Sequence, residues 1–360
     1  MTLSGAAAVA LVCGLGAPTA EAQVPAISSA SLGPATGSGL PTSAATTLSP
    51  LSLARRLQPK APSSARYPGT KCRLFPATSW WHADISRLPV NSHSAQWLSV
   101  ANAGSTLLHP DFGPNFDDPS NPYGIPITVV RQKHPSKKLS FEYSDESDHV
   151  GYPLNAKTRI EGGWNAPGDR HALVINAKTC RLYEVYHTRL TSDGWTAGSG
   201  ATWSLKNNAL RPNDWTSADE AGLAITPGLL RWDEVADDHI DHAIRFTLDG
   251  TGGYHIWPAR HPRNFSDANP NTPPLGSRFR LNASFDVSSY SPYARRILIA
   301  MKSYGLALAD TGSDWYFGGT SDTRWPNSLL DELKTVPASA FQAVDTGPLR
   351  ITNNSARSRR

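Results

Sequence analysis

The sequence predicts a mainly β fold, a β-sandwich or jelly-roll-like domain with a few peripheral helices. Three observations point there: many short segments in which apolar and polar residues alternate, 28 Gly and 29 Pro that interrupt the chain too often for long helices, and few well-capped helical stretches. Alternation predicts strands at 125–130, 139–143, 171–175, 181–186, 242–248, 254–257, 278–281 and 315–317, and the apolar run 306–310 reads as a buried strand ending in Asp310. Turn residues at 176–179 and the glycines at 249–253 predict hairpins. The clearest helix starts at Ser291 as cap with Pro292 in the first turn, repeats Ala294, Ile297, Leu298 and Met301 on one face, and stops at Gly305. Shorter helical segments are expected at 94–103, 217–220 and 328–334. No fixed repeat supports a propeller or solenoid.

The domain organisation follows from composition. The apolar run 6–15, followed by Ala20, Glu21 and Ala22, reads as a signal peptide over 1–22, although no Lys or Arg precedes it. Secretion, to the extracellular space or the periplasm, is the expectation. Residues 23–68 are rich in Pro, Ser and Ala and read as a disordered linker, 69–350 as one large β-rich domain, and 351–360 as a solvated basic tail. After the leader, no apolar run is long enough for a membrane span. Cys72 and Cys180 remain as an even pair, for which an oxidising compartment predicts a disulfide.

Charge excludes one class of partner. With 34 Lys+Arg against 30 Asp+Glu the net charge is only +4, with no basic block, so nucleic acid is not expected as a ligand. Known catalytic signatures fail too. The stretch 197–201 lacks the flanking glycines of a serine elbow, 250–253 lacks the Lys and helix of a phosphate loop, and His242 alternates with Ile244, Phe246 and Leu248 as a core histidine rather than a metal ligand. No cofactor is expected; Asp111, Asn115, Asp117 and Asp118 offer oxygens for calcium, but without the spacing of a known motif.

What remains is a concentration of acids and histidines at strand ends. If the strand at 139–143 continues its alternation, Asp145 faces inward where the strand emerges. Glu161, between Ile160 and two glycines, and Asp169, Arg170 and His171 then precede the next strand, with His171 on the face of Leu173 and Ile175. Glu184 shares a face with Leu182 and Tyr186. Asp145, Glu161, Asp169, His171, Glu184 and Asp310 are therefore the candidate acid, base and nucleophile positions. Arg170, Arg260, His261, Trp195, Trp257 and Trp315 are candidate substrate contacts, because 11 Trp is a high count and indole faces stack on sugar rings while Arg and His supply hydrogen bonds.

The segments 108–113 (LHPDFG), 123–126 (YGIP), 145–148 (DESD), 160–163 (IEGG), 168–171 (GDRH), 215–219 (WTSAD), 257–261 (WPARH) and 309–315 (ADTGSDW) resemble a group of secreted, largely uncharacterised bacterial proteins. Some of that group carry carbohydrate-binding modules, which implies an extracellular polysaccharide or oligosaccharide partner and assigns no catalytic residue. The reading that follows is a carbohydrate-active protein, first a glycoside hydrolase using a carboxylate pair. The alternatives are a polysaccharide lyase with a His or Tyr base, where Arg170 or Arg260 would neutralise a uronate, and a non-catalytic lectin-like module.

Overall fold

The computed structural model describes residues 66–359 except 132, 133 and 267. The signal peptide and the linker up to residue 65 lie outside the described residues. The fold is mainly β with peripheral helices. Its strands are β1 (His109–Asp111), β2 (Ile127–Val130), β3 (Leu139–Phe141), β4 (Ala172–Asn176), β5 (Arg181–Tyr186), β6 (Arg189–Thr191), β7 (Gly194–Ala197), β8 (Ser199–Ser204), β9 (Ile244–Leu248), β10 (Arg278–Leu281), β11 (Leu306–Thr311), β12 (Tyr316–Gly318) and β13 (Phe341–Val344). The α-helices among the described residues are α1 (Ser94–Val100), α2 (Trp232–Ala236), α3 (Pro292–Ser303) and α4 (Asn327–Leu333).

The strands form three sheets, ordered β1-β12-β9-β11-β10-β13, β2-β4-β5-β8 and β3-β7-β6. The second sheet is central to the packing because both of its faces are buried. Leu173, Ile175, Leu182, Ala201 and Trp203 join the large core shared with the six-stranded sheet. Ala172, Val174 and Val185 point the other way, into a smaller core with Leu139, Trp195 and Ala197 of the three-stranded sheet. Burial on both sides explains why β4 reads Ala-Leu-Val-Ile rather than alternating with polar residues.

Local signals account for many elements. In α3 the Ser291 hydroxyl accepts from the Ala294 amide, Pro292 occupies the first turn, and the Ala294, Ile297, Leu298 and Met301 face is buried. Gly305 ends it at φ +69°, where a Cβ would lie 2.4 Å from the Phe279 carbonyl oxygen. Cys72 and Cys180 form the disulfide, joining the start of the domain to the β4–β5 turn across 108 residues. Chain entropy gives such a loop about 4–5 kcal/mol of stabilisation.

Other expectations fail for physical reasons. Residues 254–257 form no strand; His255 makes one bridge to Leu275. The glycines at 249–253 do not close a hairpin, since β9 pairs with β11 and β12. Residues 217–220 are not helical: the Ser217 hydroxyl accepts from the Asp219 amide at 3.0 Å but donates to the Asp219 and Leu223 carbonyls, which holds the segment in a turn. Residues 194–204, which hold Trp195 and Trp203 around a Gly- and Ser-containing stretch, form β7 and β8, strands of two different sheets. Residues 351–359 are not a free tail: the Ala356 carbonyl accepts from the Trp80 amide at 2.8 Å, and the Ser358 amide donates to the Thr78 carbonyl at 2.9 Å. Arg66 bridges Arg73, so ordered structure begins before the expected boundary at 69.

Glu184 is wholly buried in β5 and accepts from the Ile225 amide (2.8 Å), the Thr226 amide (2.8 Å) and the Thr226 hydroxyl (2.6 Å), fastening the turn 225–228 to the sheet. Burial pushes its carboxyl up to about 7 against those three bonds. Its contribution to stability is therefore full below its ordinary value of 4.5 and fades as pH rises through about 7. Glu184→Gln would turn an amide NH2 toward one of these donors. We expect it to lower stability by about 2 kcal/mol, read as a fall in Tm of about 5 °C; an unchanged melting curve would deny Glu184 this fastening role.

Candidate active site

One end of the packing between the central and six-stranded sheets gathers charge. On the central sheet, His171 precedes β4 and Tyr186 closes β5, opposite Ser199 at the start of β8. From the six-stranded sheet come Arg245 in β9, Asp310 near the end of β11 and Asp111 at the end of β1. Strict alternation would put Asp310 on the apolar face of Leu306 and Leu308. Instead the β9–β11 register slips between Leu308 and Asp310, a bulge that turns Asp310 to the side of Arg245.

Arg245 is the buried centre of this group. Its Nε donates to Asp219 Oδ2 at 3.0 Å and its Nη2 to Asp219 Oδ1, a two-pronged pair, while Nη2 also reaches Asp310 Oδ2 at 3.2 Å. Space for the guanidinium stem comes from glycines: a Cβ at Gly228 would lie 2.9 Å from Arg245 Cβ, and one at Gly318 3.2 Å from Arg245 Cγ. Asp310 Oδ1 accepts from the Thr311 and Glu220 amides, and the Thr311 hydroxyl donates to Glu220. Burial and the neighbouring Asp219 carboxylate push the Asp310 carboxyl well above its usual range, against the pull of Arg245.

His171 supplies a second cation. Its Nδ1 donates to Glu161 Oε2 at 2.6 Å and its Nε2 to the Ala218 carbonyl at 3.0 Å, so both ring nitrogens face acceptors. Burial pushes this imidazole down, but Glu161, with Asp169 behind it, outweighs burial and Arg245 and raises it to about 9. For Glu161, burial is likewise outweighed, by the charge and hydrogen bonds of His171 and by Arg245, and its carboxyl lies below the usual range. The side chains of Glu161 and Asp310 keep 27% and 22% of their surface accessible, whereas His171 and Arg245 are buried. Asp111 is also raised, by burial first and by Glu161 and Asp169, against Arg245 and His109. Tyr186 is raised by burial and then by Asp169, Tyr143, Asp310 and Glu142, and its ring centroid lies 5.8 Å from that of His171.

The remaining candidates separate. Asp169 is exposed beside the group and does not pair with Arg170. Arg170 is buried and donates to the carbonyls of Thr188, Gly163, Ala166 and Trp164, which fixes the loop holding Glu161 and leaves no fork for substrate. Asp145 is not inward: β3 ends at Phe141, a 3-10 turn covers Ser144–Glu146, and Asp145 is exposed. It is Glu146 that turns in, accepting from the Thr216 amide at 2.8 Å and lying 3.7 Å from His261 Nε2. His261 Nδ1 donates to the Glu220 carbonyl at 3.1 Å, which places this imidazole at the rim. Glu184 is closed off from solvent. Trp195 and Trp315 are core residues, Trp315 donating to the Ala101 carbonyl, so neither offers a face to sugar. Trp257 and Arg260 bond the Ser355 and Asn353 carbonyls of the C-terminal segment. The carboxylate and amide of the 115–118 loop serve its own turns, Asn115 accepting from Asp117 and Asp118 amides. Among the described residues no group of three or more acids, histidines or cysteines is arranged to hold a metal ion.

Sequence reasoning missed Arg245, Asp219 and Glu146. The usable signal was a single arginine amid the apolar residues of 242–248, which needs buried acids once both strand faces are covered. Compared with family models, with curated proteins and with solved structures, the chain matches none.

The raised imidazole gives the site a pH signature. Because His171 moves from 6.5 to about 9, the stability from its protonated form is full below 6.5 and is lost as pH rises through about 9; the shift corresponds to roughly 3 kcal/mol. We expect 15N NMR to show this ring doubly protonated at neutral pH and titrating near 9. Titration at or below the free value would contradict the ion pair.

Proposed function

We propose that the protein is a secreted glycoside hydrolase acting on an extracellular polysaccharide, with Asp310 as general acid and Glu161 as the ionised carboxylate. The observation that carries this reading is two part-exposed carboxyls, Glu161 paired with the buried His171 and Asp310 with the buried Arg245, whose surroundings push one carboxyl down and the other up. A pair of acids pushed apart in this way is what glycoside cleavage uses. Asp310 would give its proton to the leaving glycosidic oxygen, and Glu161 would attack the anomeric carbon or take a proton from the attacking water. The expected leader and the Cys72–Cys180 disulfide support an oxidising, exported setting.

The alternatives receive less support. A lyase base needs a free lone pair near a sugar C5 proton, and His171 has both nitrogens committed to acceptors. The Tyr186 hydroxyl is raised, which disfavours the phenolate a tyrosine base would need. A lectin-like module has no use for a carboxyl pushed up beside a buried Asp–Arg pair.

The test is a screen of the purified mature protein against plant, fungal and bacterial glycans, with reducing-end assay and product mass analysis. Hydrolysis without ultraviolet-absorbing products is expected. Asp310→Asn and Glu161→Gln should each lower kcat by about 10^2- to 10^4-fold, the first abolishing the alkaline limb of the rate profile and the second the acid limb. Full turnover in both variants, or unsaturated products, would sink the assignment.

A further inference from the structure

Beside the acid group lies a groove of about 320 Å3, lined by Ser140, Phe141, Glu142, His187, Arg189, Thr196 and Ala197. Strand register explains its polar wall. Ser140 pairs with Thr196 across β3–β7, and Thr196 with Arg189 across β7–β6, so these three side chains form one row across the sheet. Leu139 and Trp195, one residue along, point into the small core. The row therefore faces outward. Phe141 and Ala197 border the groove where their strands end, with side chains on the inward face of Leu139 and Trp195, and Glu142 supplies an acceptor.

Arg189 is the distinctive member. It is exposed on the edge strand, and its only hydrogen-bond partner among the described residues is His187, whose Nε2 accepts from Nε at 3.3 Å and Nη2 at 3.0 Å. That contact fixes the guanidinium by one edge and leaves the Nη1–Nη2 fork without a carboxylate. Elsewhere the arginines near the site are consumed, Arg170 by carbonyls and Arg245 by Asp219 and Asp310. Arg189 is also close enough to add to the effect of burial in lowering Arg170, as an uncompensated cation would. The Tyr186 ring links the two places: its centroid lies 5.8 Å from that of His171 in the acid group and 5.8 Å from that of His187, which lines the groove.

We infer that this groove is a subsite for an acidic sugar, a hexuronate whose carboxylate takes the Arg189 fork while its ring hydroxyls bond Glu142, Ser140 and Thr196. A planar carboxylate fits a guanidinium fork in two parallel hydrogen bonds, and sugar hydroxyls can donate to Glu142. The inference takes from the proposed function that the ligand is a carbohydrate; it adds that the polymer is anionic.

The experiment is affinity electrophoresis of the full chain in native gels cast with polygalacturonate, alginate or hyaluronate, with hydroxyethylcellulose and xyloglucan as neutral controls. At least one polyuronate should retard the protein, less so at high salt, and neither neutral polymer should. Arg189→Gln is expected to weaken that binding about 10- to 100-fold, the range of one charge-assisted contact, at unchanged Tm. Glu142→Gln, on the other wall, should weaken it without altering the edge strand. No retention on any polyuronate, equal retention on neutral polymers, or full affinity in Arg189→Gln would each overturn the inference. A protein that binds a polyuronate through Arg189 but cleaves no glycan keeps this subsite and removes the hydrolase. One that cleaves a neutral glycan at a rate indifferent to Arg189→Gln keeps the hydrolase and removes the subsite.

Discussion

The burial of the Arg245 guanidinium constrains everything around it. An unpaired cation in a core costs several kcal/mol, so the fold must bring acids to it. Asp219 answers with both oxygens, and that pairing fixes the loop 216–222 over the ends of β9 and β11. A second acid at the same guanidinium then stands beside a carboxylate already committed. Two like charges this close cannot both remain ionised cheaply, and the Asp310 carboxyl is pushed well above its usual range. The same packing that neutralises Arg245 thus raises the carboxyl beside it. His171 does the reverse for Glu161, since a cation held by a carboxylate and a carbonyl keeps that carboxylate charged.

The arginines divide into two kinds by partner. Arg170, Arg278 and Arg280 are met mainly by backbone carbonyls. Arg278 lies 4.4 Å from the Trp80 ring centroid, donates to the carbonyls of Trp80, Ala83 and Tyr304, and is lowered by burial to about 9. Arg280 gathers the Ile85, Ser86 and Leu88 carbonyls. A guanidinium can satisfy several carbonyls at once, which makes such residues staples for irregular chain that has no ladder of its own. Arginines facing carboxylates instead set charge and protonation. Sequence alone does not separate the two kinds, because the carbonyls that capture Arg170 belong to a loop of no distinctive composition.

Legibility followed the range of the signal. The bounds of β5 and β10, the cap and stop of α3, the disulfide and the face shared by His171, Leu173 and Ile175 were all readable, because each rests on neighbours in the chain. Asp145 misled because alternation was extended past Phe141, where the backbone bends into a 3-10 turn and the inward position passes to Glu146. Asp310 was found, but the reason it faces Arg245 was not: a one-residue bulge reverses its side and leaves no compositional mark. Trp315 stands in a sequence context of Gly, Ser and Asp that suggests a loop, yet the indole is wholly buried against Phe246, Phe279 and Phe341. Arg245 is hidden from such reading because Ile244, Phe246 and Leu248 alternate as one apolar face, whereas both faces of the strand are covered.

The two proposed catalytic carboxyls reach the site from different sheets, and this has a chemical consequence. Glu161 is fastened to His171 at the entry of β4, and Asp310 stands on β11. Their separation is set by how closely the central and six-stranded sheets pack, through Leu173, Leu182 and Ala201 on one side and Ile244, Phe246 and Leu308 on the other. Carboxyls about 5–5.5 Å apart favour retention at the anomeric carbon, and about 6.5–9.5 Å favours inversion with a water between them. Close-packed cores do not deform by such amounts without losing contacts. For the proposed hydrolysis, the stereochemical course would therefore be a property of the inter-sheet core, and a methylene removed at Leu173 or Leu182 would act on it from a place no substrate touches.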